Sequence, residues 1–164
     1  MIVAGTGHRP PRLGLGYGAL DRFKLIDFAQ RELEEIHFES GISAVISGLA
    51  QGWDQAIAEA SIDLGFPLWV AIPFEGQESK WPEDAQERYN RIRGKAAKVT
   101  IVCPGDYASW KFIARDKWMV ESSDLVLALF DGNPKSGTGA TVAYAQLTGK
   151  PVKNVWDAWN LNGA

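Results

Sequence analysis

The sequence predicts an α/β protein built on a doubly wound, open parallel sheet of about six strands, sandwiched as the middle of three layers. Three observations lead there. Short apolar runs alternate with helix-length segments along the whole chain, which is how parallel strands joined by crossover helices read. The stretches richest in glycine, proline and charge come directly after apolar runs, where open parallel sheets carry their binding loops. A chain of 164 residues, 46% hydrophobic and 23% charged, has the make-up of one globular domain. It can bury roughly 70% of its unfolded surface and needs no disulfide or metal to hold it together.

Taken in order, strands are expected at Ile2–Gly5, Ser43–Ser47, Pro67–Ile72, Val99–Cys103, Leu125–Phe130 and Pro151–Val155. Helices are expected between them at Leu20–Ser40, Gly52–Leu64, Glu83–Ala97, Lys111–Ser122 and Thr138–Thr148. Boundary signals support these spans: Asp21 as a candidate N-cap, Gly41 as a stop, Pro82 at a start, and Gly149 followed by Pro151 as a stop. No repeat, low-complexity tract or linker divides the chain, so residues 1–164 are expected to form a single domain.

Composition narrows the functional classes. A single cysteine, Cys103, rules out an internal disulfide, and Met1-Ile2-Val3-Ala4 runs straight into Gly5 without the pattern of a signal peptide. No apolar run approaches the roughly 20 residues of a membrane span, so the expected compartment is the cytoplasm. The net charge of −3 conceals an asymmetry. Arg88 to Lys117 holds eight basic residues against two acids, a local +6 that leaves −9 for the remainder. Such a chain suits a ligand with a few phosphates better than long DNA, whose affinity comes from many phosphate contacts.

Four loops that follow strands carry the candidate chemistry. In "GTGHRP" the small residues Gly5, Thr6 and Gly7 permit close backbone approach beside the fixed cation of Arg9. Pro10 stands where a dinucleotide fingerprint would need its third glycine. The second loop, "SGLAQGWD", sets Ser47, Gly48 and Gly52 around a turn and places Asp54 in the first helical turn. A carboxylate there repels phosphate and accepts hydrogen bonds from sugar hydroxyls, or simply complements the helix dipole. "PFEGQESKW" forms a lid-like third loop offering Gln77 and Trp81, the latter a candidate for stacking on a base. Last, "SGTGAT" gathers Ser136, Gly137, Thr138, Gly139 and Thr141 at the start of a helix, where amides and hydroxyls together cradle a phosphate. Tight packing of that helix also explains Gly139, but not the hydroxyls.

In that order and spacing the motifs resemble the SLOG superfamily of Rossmann-like proteins, and within it the YpsA-like family. The resemblance rests on Gly7–Arg9, Ser47–Asp54, Pro73–Trp81, the Arg115 and Met119 pair, "SSDLVLALFDG" from Ser122, and Gly137–Thr141. It implies a Rossmann-like fold, a nucleotide or nucleotide-sugar site at the strand ends with Arg115 among its residues, and a homo-oligomer. Relatives implied by it include the "lonely guy" phosphoribohydrolases, the DNA-processing protein A family and nucleotide-sensing domains.

The phosphoribohydrolase motif ends in a glutamate on the last long helix, and that position is Thr141 here. No acid occurs between Asp131 and Asp157, although Asp54, Asp124 or Asp131 are alternative sources of a carboxylate. The first expectation is therefore binding of a nucleotide-derived small molecule without turnover, as a sensor, carrier or sequestering protein. An N-glycosidic hydrolase is the alternative, and single-stranded DNA binding comes third, with nucleic acid an unlikely partner. No cofactor or resident metal is expected, since His8, His37 and Cys103 are scattered. Trp156 and Trp159 near the C-terminus are expected either to fold back on the sheet edge or to bury in a partner.

Overall fold

The computed structural model describes residues 1–163, with side chains as far as Leu161. Six strands form one parallel sheet: β1 (Ile2–Gly7), β2 (Ala44–Ser47), β3 (Leu68–Ile72), β4 (Lys98–Ile101), β5 (Leu125–Leu129) and β6 (Val152–Asn154). Their spatial order is β4-β3-β2-β1-β5-β6. The connecting helices are α1 (Ala19–Ser40), α2 (Trp53–Asp63), α3 (Glu83–Gly94), α4 (Trp110–Glu121) and α5 (Gly137–Leu147), with a short 3-10 turn at Pro10–Leu13. This is the expected doubly wound Rossmann-like architecture.

The chain winds outward from β1 to β4 and then returns to β5 on the other side of β1. Helices of the outward half therefore cover one face and those of the return half the other, as right-handed crossovers require. On the first face Leu25, Phe28, Leu33, Trp53 and Ile57 pack against Val3, Val45 and Leu127. Tyr89 and Ile92 of α3 continue that layer over Val70 and Ile72. On the second face Met119 of α4 meets Ala4, Ile46 and Ala71, and Val120 and Ala145 meet Val126.

Several boundaries differ from the sequence reading for local reasons. β1 runs on to Gly7 because Thr6 and Gly7 pair with Ala128 and Leu129 of β5. Helix α3 stops at Gly94, short of Ala97, whose amide already donates to Leu68 O and feeds the chain into β4. Asp21 is not the N-cap of α1. Gly18 holds that position, and the Asp21 carboxylate instead accepts from the Gly16 amide at 2.7 Å.

The tail was not expected to form an element, yet it forms helix α6 (Trp156–Gly163). Trp159 is buried edge-on against Phe28, with centroids 5.3 Å apart, and Trp156 sits edge-on to His8 at 6.1 Å. Both tryptophans thus fold back onto the protein's own core. Among the described residues no helix is long and apolar enough to cross a membrane.

Candidate functional site

The winding reverses between β1 and β5, and just beyond their carboxyl ends the chain leaves a hollow of about 550 Å³. Ligands in open parallel sheets bind at such a reversal, because loops leaving adjacent strands in opposite directions open a crevice between them. The structure brings Gly5, Thr6, Gly7, Arg9, Asp54, Arg115, Ser136, Gly137, Thr138 and Thr141 to this one hollow.

The remaining predicted residues lie behind it. Ser47 donates to the Asp54 carbonyl at 2.6 Å, and Gly48 O accepts from Gln77 and Arg115. The buried Gln77 also reaches the Tyr89 hydroxyl at 3.2 Å, while Trp81 packs edge-on to the Tyr89 ring. Gly139 is pressed against the preceding loop, where an added Cβ would lie 2.6 Å from Asn133 O. Gly52 has φ +98°, and an added Cβ would sit 2.6 Å from His8 O. These residues build the walls rather than line the hollow.

Packing also accounts for the glycines of the first loop. A Cβ on Gly5 would lie 2.5 Å from Ile57, and one on Gly7 would lie 2.4 Å from the Trp53 ring. Helix α2 sits against β1 because those positions are bare. The α5 start is different: a Cβ on Gly137 would meet nothing within 4 Å, so that backbone is open. Ser136 is the N-cap and its hydroxyl accepts from Gly139 N at 2.9 Å. The amides of Gly137 and Thr138, first in the helix, precede its i to i−4 ladder and are left for an external acceptor. The helix dipole adds a partial positive charge at the same place.

Charge in the hollow is unevenly committed. Arg115 is only 4% exposed; its Nε donates to Asp116 at 2.7 Å and its Nη1 to Gly48 O at 2.9 Å and Ala71 O at 3.2 Å. It ties the ends of β2 and β3 to α4, and a Cβ on Gly48 would collide with it at 2.4 Å. Arg12 lies 3.6 Å from Asp131. Arg9 lies on the exposed rim, where its charge also draws on the Asp54 carboxyl.

Asp54 is 9% exposed, and its Oδ1 has no hydrogen-bond partner. Burial raises its pKa to about 7, outweighing the attraction of Arg115, while the nearby Asp116 pushes in the same direction as burial. The carboxyl therefore keeps its proton below neutrality, releases it around pH 7, and is poised to exchange hydrogen bonds with a polar guest.

Several residues of the hollow were not singled out by the sequence. His8 is 3% exposed, and burial lowers its pKa against the pull of Asp131. Its Nε2 accepts from the Asp131 amide at 3.1 Å and lies 3.0 Å from Asp131 Oδ1, so protonation would turn it into a donor to that carboxylate. Asp116 supports Arg115 and accepts from Thr141 Oγ1 at 3.2 Å. Tyr17 and Phe112 add aromatic surface. Asp116 carried a signal, an acid beside the one arginine of its helix; Tyr17 and Phe112 carried none.

Apart from Arg115, the basic stretch does not line the hollow. Arg91 pairs with Glu59, Arg93 with Glu75 and Arg88 with Asp84, and Lys98 rests over Trp69. Lys111 is buried against the carbonyls of Pro104 and Asp106. Among the described residues no group of three or more His, Cys, Asp or Glu side chains has a metal-binding arrangement.

A family model described as the YspA SLOG family (YpsA) matches residues 3–157. A UPF0398 protein of Lysinibacillus sphaericus is 30% identical over 140 residues, covering 79% of this chain and 78% of that protein. The SPbeta prophage-derived protein YoqJ of Bacillus subtilis is 28% identical over 141 residues, covering 76% and 82%. Among solved structures, the DNA processing protein A of Streptococcus pneumoniae superposes with a TM-score of 0.64 at 21% identity over 92% of this chain. The match spans 48% of that protein, about half its length. The Helicobacter pylori DNA processing protein A, described for its single-stranded DNA binding mode, has a TM-score of 0.64 at 19% identity, covering 99% of this chain and 73% of that one. At these identities the two structures share the fold with this chain.

Proposed function

From the YspA SLOG family, to which the chain belongs, and from the chemistry of the hollow, we propose that this protein binds a nucleotide or nucleotide-derived small molecule at the strand ends. It acts as a sensor, carrier or sequestering protein. One observation carries the reading: the buried Asp54 carboxyl with its unpartnered Oδ1, the exposed Arg9 and the open amides at the start of α5 all line the same hollow. A phosphate is held by Arg9 with the Gly137 and Thr138 amides. Asp54 exchanges hydrogen bonds with sugar hydroxyls, and Tyr17 and Phe112 supply a surface for the base. Arg115, two of whose nitrogens are committed to protein atoms, shapes the floor and lends positive potential.

N-glycosidic hydrolysis is the second reading, favoured by two carboxyls, Asp54 and Asp116, in the hollow where Thr141 replaces a glutamate. Single-stranded DNA binding draws on the Helicobacter pylori structure described for that mode. Against it stands the pairing of Arg88, Arg91 and Arg93 with acids of this chain.

Calorimetric titration with nucleoside mono- and diphosphates, alongside chromatography for released base and oligonucleotide binding at two salt concentrations, separates the three. The proposal expects saturable binding of a nucleotide, intact after incubation and weakened by Arg9→Ala. Release of free base abolished by Asp54→Asn moves the assignment to hydrolysis. Salt-sensitive oligonucleotide binding with no affinity for mononucleotides moves it to DNA.

A further inference from the structure

His8 lines the hollow and meets its neighbour Asp131 with the wrong polarity. The imidazole is buried, edge-on to Trp156 and tilted against Phe130 with centroids 6.0 Å apart. Its Nε2 accepts from the Asp131 amide, which in the neutral ring leaves the proton on Nδ1. The same Nε2 lone pair lies 3.0 Å from Asp131 Oδ1, so an acceptor faces a carboxylate oxygen. A proton between them would make that contact a charge-assisted hydrogen bond.

The carboxylate is already fixed to receive it. Asp131 Oδ1 accepts from the Asn133 amide at 2.9 Å, and Oδ2 lies 3.6 Å from Arg12. The Asn133 amide, with His8 and Arg12, holds this carboxyl below the ordinary range, so it stays ionised. What keeps the proton off His8 is burial, to which Arg12 on the 3-10 turn adds repulsion. Helix α6 meets the ring with Trp156, the end of β5 meets it with Phe130, and α2 supplies the Trp53 amide to the His8 carbonyl at 3.2 Å; those three groups carry no charge. One more negative charge beside the ring favours its protonated form.

The hollow is where such a charge can come from. Nδ1 has no hydrogen-bond partner among the described residues, and it is not one of the two sealed side-chain atoms, Asp54 Oδ1 and Glu78 Oε2, left bare there. It is therefore accessible, and the accessible space beside this ring is the hollow. Arg9 is the next residue along the chain, and the open start of α5 borders the same space.

We propose that His8 is a phosphate-binding residue of the hollow that takes up a proton as the guest arrives: Nδ1–H donates to a phosphate oxygen, and the added proton on Nε2 goes to Asp131 Oδ1. This rests on the reading that the hollow holds a phosphate-bearing guest. Phosphate affinity then falls as pH rises through the range in which the bound imidazolium titrates, by up to about 10-fold per pH unit.

The chain has two histidines, so long-range proton–nitrogen NMR of the full protein reads the step directly. Without a guest at pH 7, His8 is expected to be neutral with its proton on Nδ1. Saturating inorganic phosphate, and separately adenosine 5′-monophosphate, are expected to move its titration upward by about one unit or more. His37, exposed in the last turn of α1, keeps its own midpoint and serves as the reference. In titration calorimetry from pH 6 to 8, the affinity of His8→Gln for either probe is expected to vary less with pH than that of the wild type. Asp54 titrates in the same range in both proteins and drops out of the comparison. Amide shifts at Gly137 and Thr138 without a change at His8, a free ring with its proton on Nε2, or equal pH slopes in the two proteins would overturn the proposal alone. No shift at either place with either probe would overturn it together with the reading of the hollow.

Discussion

Asp54→Asn exchanges a buried carboxyl for a neutral amide of nearly the same shape, and its effect is a matter of proton counting. In the folded chain Asp54 titrates at about 7, against 3.8 for the ordinary side chain. Between those values the folded state keeps a proton that the unfolded chain has released. Stability therefore falls as pH rises, by about 1.4 kcal/mol per pH unit. Across the window, roughly three units wide, the loss accumulates to about 4 kcal/mol by pH 8.

The asparagine variant does not titrate there. The wild type should thus lose about 4 kcal/mol relative to the variant between pH 4 and 8, with most of the change between pH 5 and 7. Any constant offset from exchanging hydrogen bonds cancels in that comparison. So does His8, whose lowered pKa costs stability as pH falls below its ordinary value and which is present in both proteins. Urea unfolding of the two proteins at a series of pH values gives the difference directly. A difference that stays flat with pH would refute the reasoning, because it would mean that the carboxyl is solvated or paired in the folded state.

Three further substitutions test the division between residues that hold a guest and residues that hold the walls. Arg9→Ala is expected to leave the fold intact and weaken nucleotide binding roughly 10-fold or more, with a smaller effect at high salt, as titration calorimetry would show. Arg115→Ala removes the donor to Gly48 O, Ala71 O and Asp116. It should cost about 3 kcal/mol in denaturant unfolding, with or without ligand. Gly52→Ala forces a side chain into positive φ and against His8 O; a loss of about 1–3 kcal/mol in thermal or urea unfolding is expected.

The parallel sheet was legible because burial on both faces writes strands as short apolar runs, as at Leu125–Leu129 and Leu68–Ile72, set between helix-length segments. Their edges were less so. Whether Thr6 and Gly7 belong to β1 depends on pairing with β5, more than a hundred residues away. The loop motifs were found through their glycines, yet the reason for those glycines was often hidden. Gly5, Gly7 and Gly48 answer to Ile57, Trp53 and Arg115, contacts that only the fold creates.

Trp81 and Gln77 looked like ligand residues because they are large or polar in a loop, but Tyr89 takes both from behind. His8 was considered only as a scattered candidate metal ligand; the close approach of the chain after β1 to the loop after β5 sets it beside Asp131 in the hollow. The tail helix escaped notice because Trp156 and Trp159 find ring partners in His8, just after β1, and Phe28 of α1 rather than in neighbouring sequence.

On the proposed function, the strand-end hollow holds a phosphorylated small molecule. Native mass spectrometry of gently purified wild type and Arg9→Ala, followed by release and tandem fragmentation of any adduct, tests it most directly. The wild type is expected to carry a discrete mass that fragments to a phosphate-bearing nucleoside or sugar, depleted in the variant. Nucleotides in excess that leave both proteins at the bare chain mass, or an adduct retained equally by both, would show that the hollow does not hold a phosphate through Arg9.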